Sequence, residues 1–416
     1  MKVVIIGAGI GGLAAAVALR RAGQHVTVLE QAHRISEVGA GIGLGPNAVG
    51  ALTALGIAPR LSADVSLPTW TTRRRWQNGA ELFKAPLGTT VRTYGHPFWF
   101  AHRGDLQRAL LEAATAPEGP DDAGPPAEVR LDKCVTDVDP ATGRVTTRGG
   151  EVFAPDATVG ADGIRSVVRR ELFDGREATY SGHSGFRTQV PAERVAGEPG
   201  LGEFVERNSF ESWLGPGAHV VHSPFRRGSV INITACIETP AIPSGATSAP
   251  VGVDETLDHL DGWHEPLRRL VAAGNGVVRY DIHTQPPLEN WIAGRVCLLG
   301  DACHPMLPYL GQGAAQAIED GQALGAAFAA APDPDTAFRL FQDLRLERAN
   351  RVQALSGANA TTFHLPDGPA QRDRDRGVAQ GHIDAEVSAW LWQYQDPAGA
   401  VARTGPATAG RHRDKE

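Results

Sequence analysis

Residues Lys2 to Glu30 read KVVIIGAGIGGLAAAVALRRAGQHVTVLE. An apolar run from Lys2 to Ile6 stops at glycine, a small-residue stretch from about Gly11 to Ala22 has a helical period, and a second apolar run covers His25 to Leu29. The order predicts strand, helix, strand, the start of a parallel α/β sheet. The turn between the first two is Gly7-Ala8-Gly9-Ile10-Gly11-Gly12, a GxGxxG motif. Gly7 permits the tight turn, Gly9 lets backbone approach a pyrophosphate, Gly12 lets helix pack closely on strand, and the helix start offers unsatisfied N–H donors. Glu30 closes the second strand 18 residues past Gly12, placed to accept hydrogen bonds from a ribose, with Gln31 beside it. The stretch therefore predicts a site for an adenine dinucleotide.

The rest of the chain narrows the class. At 416 residues it exceeds one ordinary core, and 42% hydrophobic with 21% charged residues is a globular composition. A formal charge of -7 without a basic stripe excludes a nucleic-acid partner. The four cysteines form no CxxC pair and read as free thiols, so neither a disulfide scaffold nor a metal site is expected. No run reaches the roughly 18 apolar residues of a membrane span. The amino terminus lacks a signal-peptide pattern, and a cytoplasmic location follows as the expectation.

A second signal lies far downstream, in RVCLLGDACHPMLPYLGQGAAQAIED, Arg295 to Asp320. A buried-strand run ends at Asp301, where ligands bind in open α/β sheets, and a carboxylate there suits the hydroxyls of a ribityl chain. Gly311-Gln312-Gly313 then opens a helix whose N–H groups and dipole favour a ring that becomes anionic on reduction. A nicotinamide needs no such second cradle, so FAD is the expected cofactor. No second GxGxxG exists, and NADH or NADPH is expected as a transient co-substrate.

Four motifs in order, GAGIGG with Glu30, HRGDL at His102 to Leu106, GADGIRS at Gly160 to Ser166, and the Gly-Asp stretch at Gly300 to Asp320, resemble the single-component FAD-dependent aromatic hydroxylases. That family includes the hydroxybenzoate, salicylate and 6-hydroxynicotinate monooxygenases. The resemblance implies an α/β fold with a discontinuous Rossmann-like FAD-binding domain (1–70, 100–179 and 285–365). It also implies an inserted mixed or antiparallel β-sheet substrate domain (71–99 and 180–284) and a C-terminal tail or helical segment (366–416). It implies that Arg103, Gly43, Val135, Asp162 and Asp301 contact the cofactor. The implied chemistry is addition of O2 to reduced flavin, giving a C4a-hydroperoxide that hydroxylates an electron-rich ring. The expected substrate is a phenolic or aminophenolic aryl carboxylate.

The candidate bases are His304 in the Gly-Asp loop and His219 and His222 on the strand in WLGPGAHVVHSPF. Three positions apart on a strand, His219 and His222 point to opposite faces, so one of them meets the cavity. Arg187 is the candidate clamp for a substrate carboxylate, and Pro308 and Leu310 are candidates for the pocket roof. The run Arg73-Arg74-Arg75 reads as a solvated face. The alternatives are a hydroxylase or epoxidase of a larger aromatic natural product and, from another class, a non-catalytic binding protein like the GDP dissociation inhibitors. A monomer or homodimer is expected, with a small aromatic molecule and O2 as its partners.

Overall fold

The computed structural model describes residues 1–35, 41–117, 124–380 and 382–404. The Pro-, Gly- and acid-rich segment APEGPDDAGPPAE reads in the sequence as a surface loop; its residues 118–123, like 405–416, lie outside the described residues. The opening stretch folds as its pattern predicts, with strands Lys2–Ile6 and His25–Leu29 pairing in parallel around the helix Ile10–Arg21. Lys2–Ile6 is buried on both faces, which is why it reads as a continuous β-branched run rather than an alternation. The six-stranded sheet runs Ile292–Ala293, Val296–Leu298, Ala157–Gly160, Lys2–Ile6, His25–Leu29, Glu128–Arg130. Only the first pair is antiparallel.

Two helices cover one side of this sheet at unusually short range. A Cβ placed on Gly321 would lie 2.7 Å from Ala14 and Ala15 backbone, and one on Gly325 2.6 Å from Ala18 Cβ. Small residues one turn apart on Gly313–Ala330 therefore set its distance from Ile10–Arg21. The AAQAIEDGQALGAAF composition is a packing requirement.

The second sheet has eight strands, in the order Ser248–Val251, Val277–Thr284, Thr179–Pro191, Val230–Glu238, Ala218–Phe225, Ser209–Gly215, Trp70–Arg75, Glu81–Pro86. All neighbours are antiparallel except Ser209–Gly215 with Trp70–Arg75. One face buries Phe186, Trp213, Val220, Ile231 and Ile233 beneath the helices Val253–His259 and Glu265–Ala272. Trp263 is buried in the connection between these two helices. The opposite face meets the Gly-Asp loop through Leu214, Cys236, Ile282, Leu307, Tyr309 and Phe363.

The arginine run is not a solvated face. Arg74 pairs with buried Glu211 at 2.6 Å, Arg75 reaches Asp367 and Asp375, and Arg73 lies 4.9 Å from the Phe363 ring. Within the C-terminal tail or helical segment the described residues form the helices Pro369–Ala379, His382–Trp392 and Pro397–Thr404. Asp367 anchors its start by accepting from Arg75, Trp76 and Gln77. No described helix is long and apolar enough to cross a membrane.

Candidate active site

The dinucleotide end is built from backbone. Gly7 has φ +105, and a Cβ there would sit 2.4 Å from Ala161 O; a Cβ on Gly12 would sit 2.0 Å from Gly7 O. Gly9 is the opposite case, with nothing within 4 Å of its Cβ position, an open cradle at a helix start that carries no side-chain cap. Glu30 accepts from Ala8 N–H at 2.8 Å and Ala32 N–H at 2.9 Å, which fixes its carboxylate at the crevice with lone pairs remaining for a ligand. Gln31 is exposed beside it. Lys133 N–H bonds Glu30 O at 2.8 Å and brings buried Val135 to the same edge. Gln107 donates to Ala8 O at 2.9 Å, tying the helix that begins at Arg103 to the glycine turn.

Asp162 braces its own loop. Its carboxylate accepts from Ser166 Oγ at 2.5 Å and from Val167 N–H at 2.8 Å and Val168 N–H at 3.3 Å, capping its own helix, while burial pushes its pKa up. The side chain shapes the loop after Ala157–Gly160. Arg169 on that helix is fully buried, pairs with Asp174 at 2.8 Å and donates to Cys303 O at 3.3 Å, so the Asp-Gly and Gly-Asp loops are tied together.

The Gly-Asp loop stands on a buried charge network. Gly300 turns the chain at φ +64 and donates to Asp320 Oδ2 at 3.0 Å. Asp320 also receives His304 Nε2 at 2.6 Å and Arg345 Nε at 2.7 Å. Arg345 reaches Glu319 at 2.5 Å, and Arg348 joins Glu319 at 2.8 Å. Burial alone would raise the Asp320 carboxyl, but His304 and Arg345 outweigh it and hold it at about 2. Asn47 donates to Glu319 at 2.7 Å and to Gln312 Oε1 at 3.0 Å, fixing Gln312. Above this base Asp301 is exposed, its Oδ1 3.9 Å from the Cβ position of Gly313, and Gly311 (φ +62) has nothing within 4 Å of its Cβ position.

His304 is therefore corrected from candidate base to loop pin. It is wholly buried, bonded to Asp320, with its ring centroid 5.3 Å from that of Trp291. His222 is corrected too: it lies on the sheet face away from the loop, accepting from Trp213 Nε1 at 3.1 Å and 3.5 Å from Glu211. Pro308 is exposed and Leu310 half-buried; the loop residues that pack on the sheet are Leu307 and Tyr309.

His219 is the histidine on the face turned to the loop. It is buried, its ring 5.0 Å from Tyr309, and its Nδ1 lies 2.8 Å from His364 Nε2. Among the described residues its Nε2 has no hydrogen-bond partner. Burial first, then His364, His183 and Arg73, push its pKa well below the ordinary value, so the ring is a neutral acceptor. Strand register puts Cys236 opposite His219 and Thr234 opposite Arg187 on the same face. The Arg187 guanidinium lies 4.7 Å from the Tyr280 ring centroid. Arg187 Nε, Asn232 Oδ1 and Tyr309 OH are buried without a hydrogen-bond partner among the described residues. Sequence reading missed Tyr309, Tyr280, Asn232, His364 and the charge network. The signal for the network was present: adjacent Glu319 and Asp320 inside an alanine helix demand cations, and Arg345 and Arg348 lie one turn apart on the next helix.

The open cradle at Gly9, the braced Glu30, the exposed Asp301 and the open Gly311 at a helix start fit a flavin dinucleotide. Comparison with known proteins agrees. Residues 1–357 match the family described as FAD binding domain. The chain is 37% identical over 398 residues to 3-amino-4-hydroxybenzoate 2-monooxygenase PtnB3 of Streptomyces platensis, covering 95% of this chain and 96% of that protein. It is 35% identical over 407 residues to 3-hydroxybenzoate 6-hydroxylase 1 of Aquipseudomonas alcaligenes, covering 94% and 97%. A salicylate hydroxylase solved as a substrate complex superposes with a TM-score of 0.80 at 25% identity, covering 98% and 99% of the two chains. These full-length relatives are enzymes, which sets aside the non-catalytic binding module. The chain belongs to the FAD-dependent aromatic hydroxylases, the monooxygenase family of the aminohydroxybenzoate, hydroxybenzoate, 6-hydroxynicotinate and salicylate enzymes.

Proposed function

We propose that this hydroxylase acts on a phenolic aryl carboxylate with an amino group beside the hydroxyl, 3-amino-4-hydroxybenzoate or a close analogue, with NAD(P)H and O2 as co-substrates. The observation that carries the reading is the shared sheet face of Arg187 and His219, with the Gly-Asp loop opposite. Arg187 would clamp the carboxylate, and His219 Nε2 would accept the phenol proton, making the ring a better nucleophile. Asn232 Oδ1, an unpaired acceptor on that face, suits an amine N–H. Relatives at 35–37% identity over the full length carry names that specify 3-amino-4-hydroxybenzoate.

Gly9, Glu30 and Val135 would hold the adenosine half of FAD, and Asp301, Gly311, Gln312 and Gly313 the ribityl and ring half. Bound FAD supplies activated oxygen. The protein binds the ring, removes its proton at His219 and keeps water out with Leu307, Tyr309 and Phe363. The test is NADH and NADPH oxidation by the purified yellow protein against substituted benzoates and hydroxypyridines, with product analysis to separate hydroxylation from peroxide release. The aminohydroxybenzoate should give coupled oxidation. Coupled turnover confined to rings without a carboxylate would overturn the reading.

A further inference from the structure

We infer that His219, His364 and Glu238 form a proton relay joining the buried substrate phenol to solvent, with His364 the positioning link, an inference that rests on His219 being the base. His219 Nδ1 lies 2.8 Å from His364 Nε2, and His364 Nδ1 lies 3.3 Å from Glu238 Oε1. Only the outer end of this chain of groups meets water: His219 is 2% exposed and the His364 side chain 1%, against 54% for the Glu238 side chain. One neutral tautomer set satisfies every link. His219 keeps Nε2 free of its proton and donates Nδ1–H to His364 Nε2; His364 donates Nδ1–H to the Glu238 carboxylate.

The surrounding backbone holds the three groups in place. Gly217, at φ +64, donates its N–H to His364 O at 3.1 Å and accepts from Glu238 N–H at 2.8 Å. The segment after the helix Pro334–Phe363 is thereby clamped to the hairpin that carries His219.

A relay is needed because neither imidazole can hold a charge. Burial, the neighbouring His183 and, for His219, also His364 and Arg73 disfavour the imidazolium forms, and His364 is held down to about 3. The other groups facing the pair do not relieve this: Tyr309 stays a neutral phenol, the Cys236 thiol is pushed up to about 12, and Phe363 is apolar. As the phenol O–H proton moves to His219 Nε2, the Nδ1 proton leaves for His364 Nε2, and the His364 Nδ1 proton leaves for Glu238. The negative charge gained by the phenol oxygen is matched by the charge lost at Glu238. When the hydroxylated ring regains aromaticity and gives up its ring hydrogen as a proton, reversal of the relay returns a proton to the oxygen.

The experiment compares the FAD-loaded wild type with His219→Ala, His364→Ala and Glu238→Gln, using 3-amino-4-hydroxybenzoate as probe, and reads flavin reduction and product formation separately by rapid mixing. His219→Ala should slow product formation by about 100-fold. His364→Ala and Glu238→Gln should each slow it about tenfold or more with reduction unchanged, and added imidazole should restore His364→Ala. If His219→Ala is slow while the other two match wild type, the relay is wrong and the base stands; if His219→Ala matches wild type, the base assignment itself falls. A substrate-free arm uses 15N-histidine spectra of the holoenzyme at neutral pH, assigned with His364→Gln. The relay requires neutral Nδ1–H tautomers at both His219 and His364, and an Nε2–H tautomer at His364 would overturn it whatever the true substrate.

Discussion

Glu30 shows how one side chain serves loop and ligand together. Its two oxygens already hold Ala8 and Ala32 N–H groups, so Glu30→Ala removes the acceptor for the ribose and also the brace of the glycine turn. A charge-assisted hydrogen bond contributes about 1.5–3 kcal/mol, so FAD affinity should fall about 10- to 100-fold, read by flavin fluorescence on titrating the apoprotein. Unchanged affinity would refute the ribose assignment. Arg187→Met should raise the KM of an aryl carboxylate by about 10- to 100-fold while leaving FAD binding alone, because a planar two-donor clamp is lost and its apolar stem is kept. A fall in kcat with KM unchanged would count against the clamp. At this scale the glycines and Glu30 were legible because their positions follow from chain geometry. The roles of the histidines were only half legible: strand alternation said that His219 and His222 differ, yet which face meets the loop, and that His304 turns to Asp320, depend on partners distant in sequence.

Elements were legible wherever local period decided them, and less so where tertiary contacts did. The helix Ile10–Arg21 and the strand His25–Leu29 lie within a residue of expectation, while the break between the helices Val253–His259 and Glu265–Ala272 is set by a turn that buries Trp263. The pairing of Gly313–Ala330 with Ile10–Arg21 carries a testable consequence. A Cβ on Gly325 would lie 2.6 Å from Ala18 Cβ and 2.9 Å from its carbonyl carbon, so Gly325→Val must push these helices away from each other, and they also carry the flavin loop and the glycine turn. Overpacking of this kind destabilises by about 1–3 kcal/mol, and the melting temperature should drop together with FAD occupancy. A variant that melts lower yet keeps full flavin would mean that the two helix starts do not act together.

Across the whole molecule, the parallel sheet and the family could be read from four motifs, whereas the joins could not. Nothing local tells that Trp70–Arg75 runs beside Ser209–Gly215, or that Asp367 fastens the last helices to Arg75 and Gln77. The first of these joins is pinned by a buried carboxylate, Glu211 to Arg74, and the Gly-Asp loop stands on another, Asp320. Asp320 beneath the Gly-Asp loop and Glu211 beneath the outer face of the large sheet are each held at about 2 against ordinary values of 3.8 and 4.5: burial opposes ionisation, but His304 with Arg345, and His222 with Arg74, outweigh it. Because the folded pKa is the lower one, the unfolded chain binds more protons in this range. The contribution is therefore complete above about pH 5 and is lost as pH falls toward 2. Urea midpoints of the holoprotein should stay level from pH 7 to about 5 and then fall steeply. Arg345→Met should be far less stable at pH 7, by about 3–5 kcal/mol, because Glu319 and Asp320 stay buried without their shared cation. Its acid slope should also flatten, since Asp320, left with His304 alone, takes up its proton at higher pH. A wild-type slope retained in Arg345→Met would show that the network beneath the flavin loop does not set the acid limit of the fold.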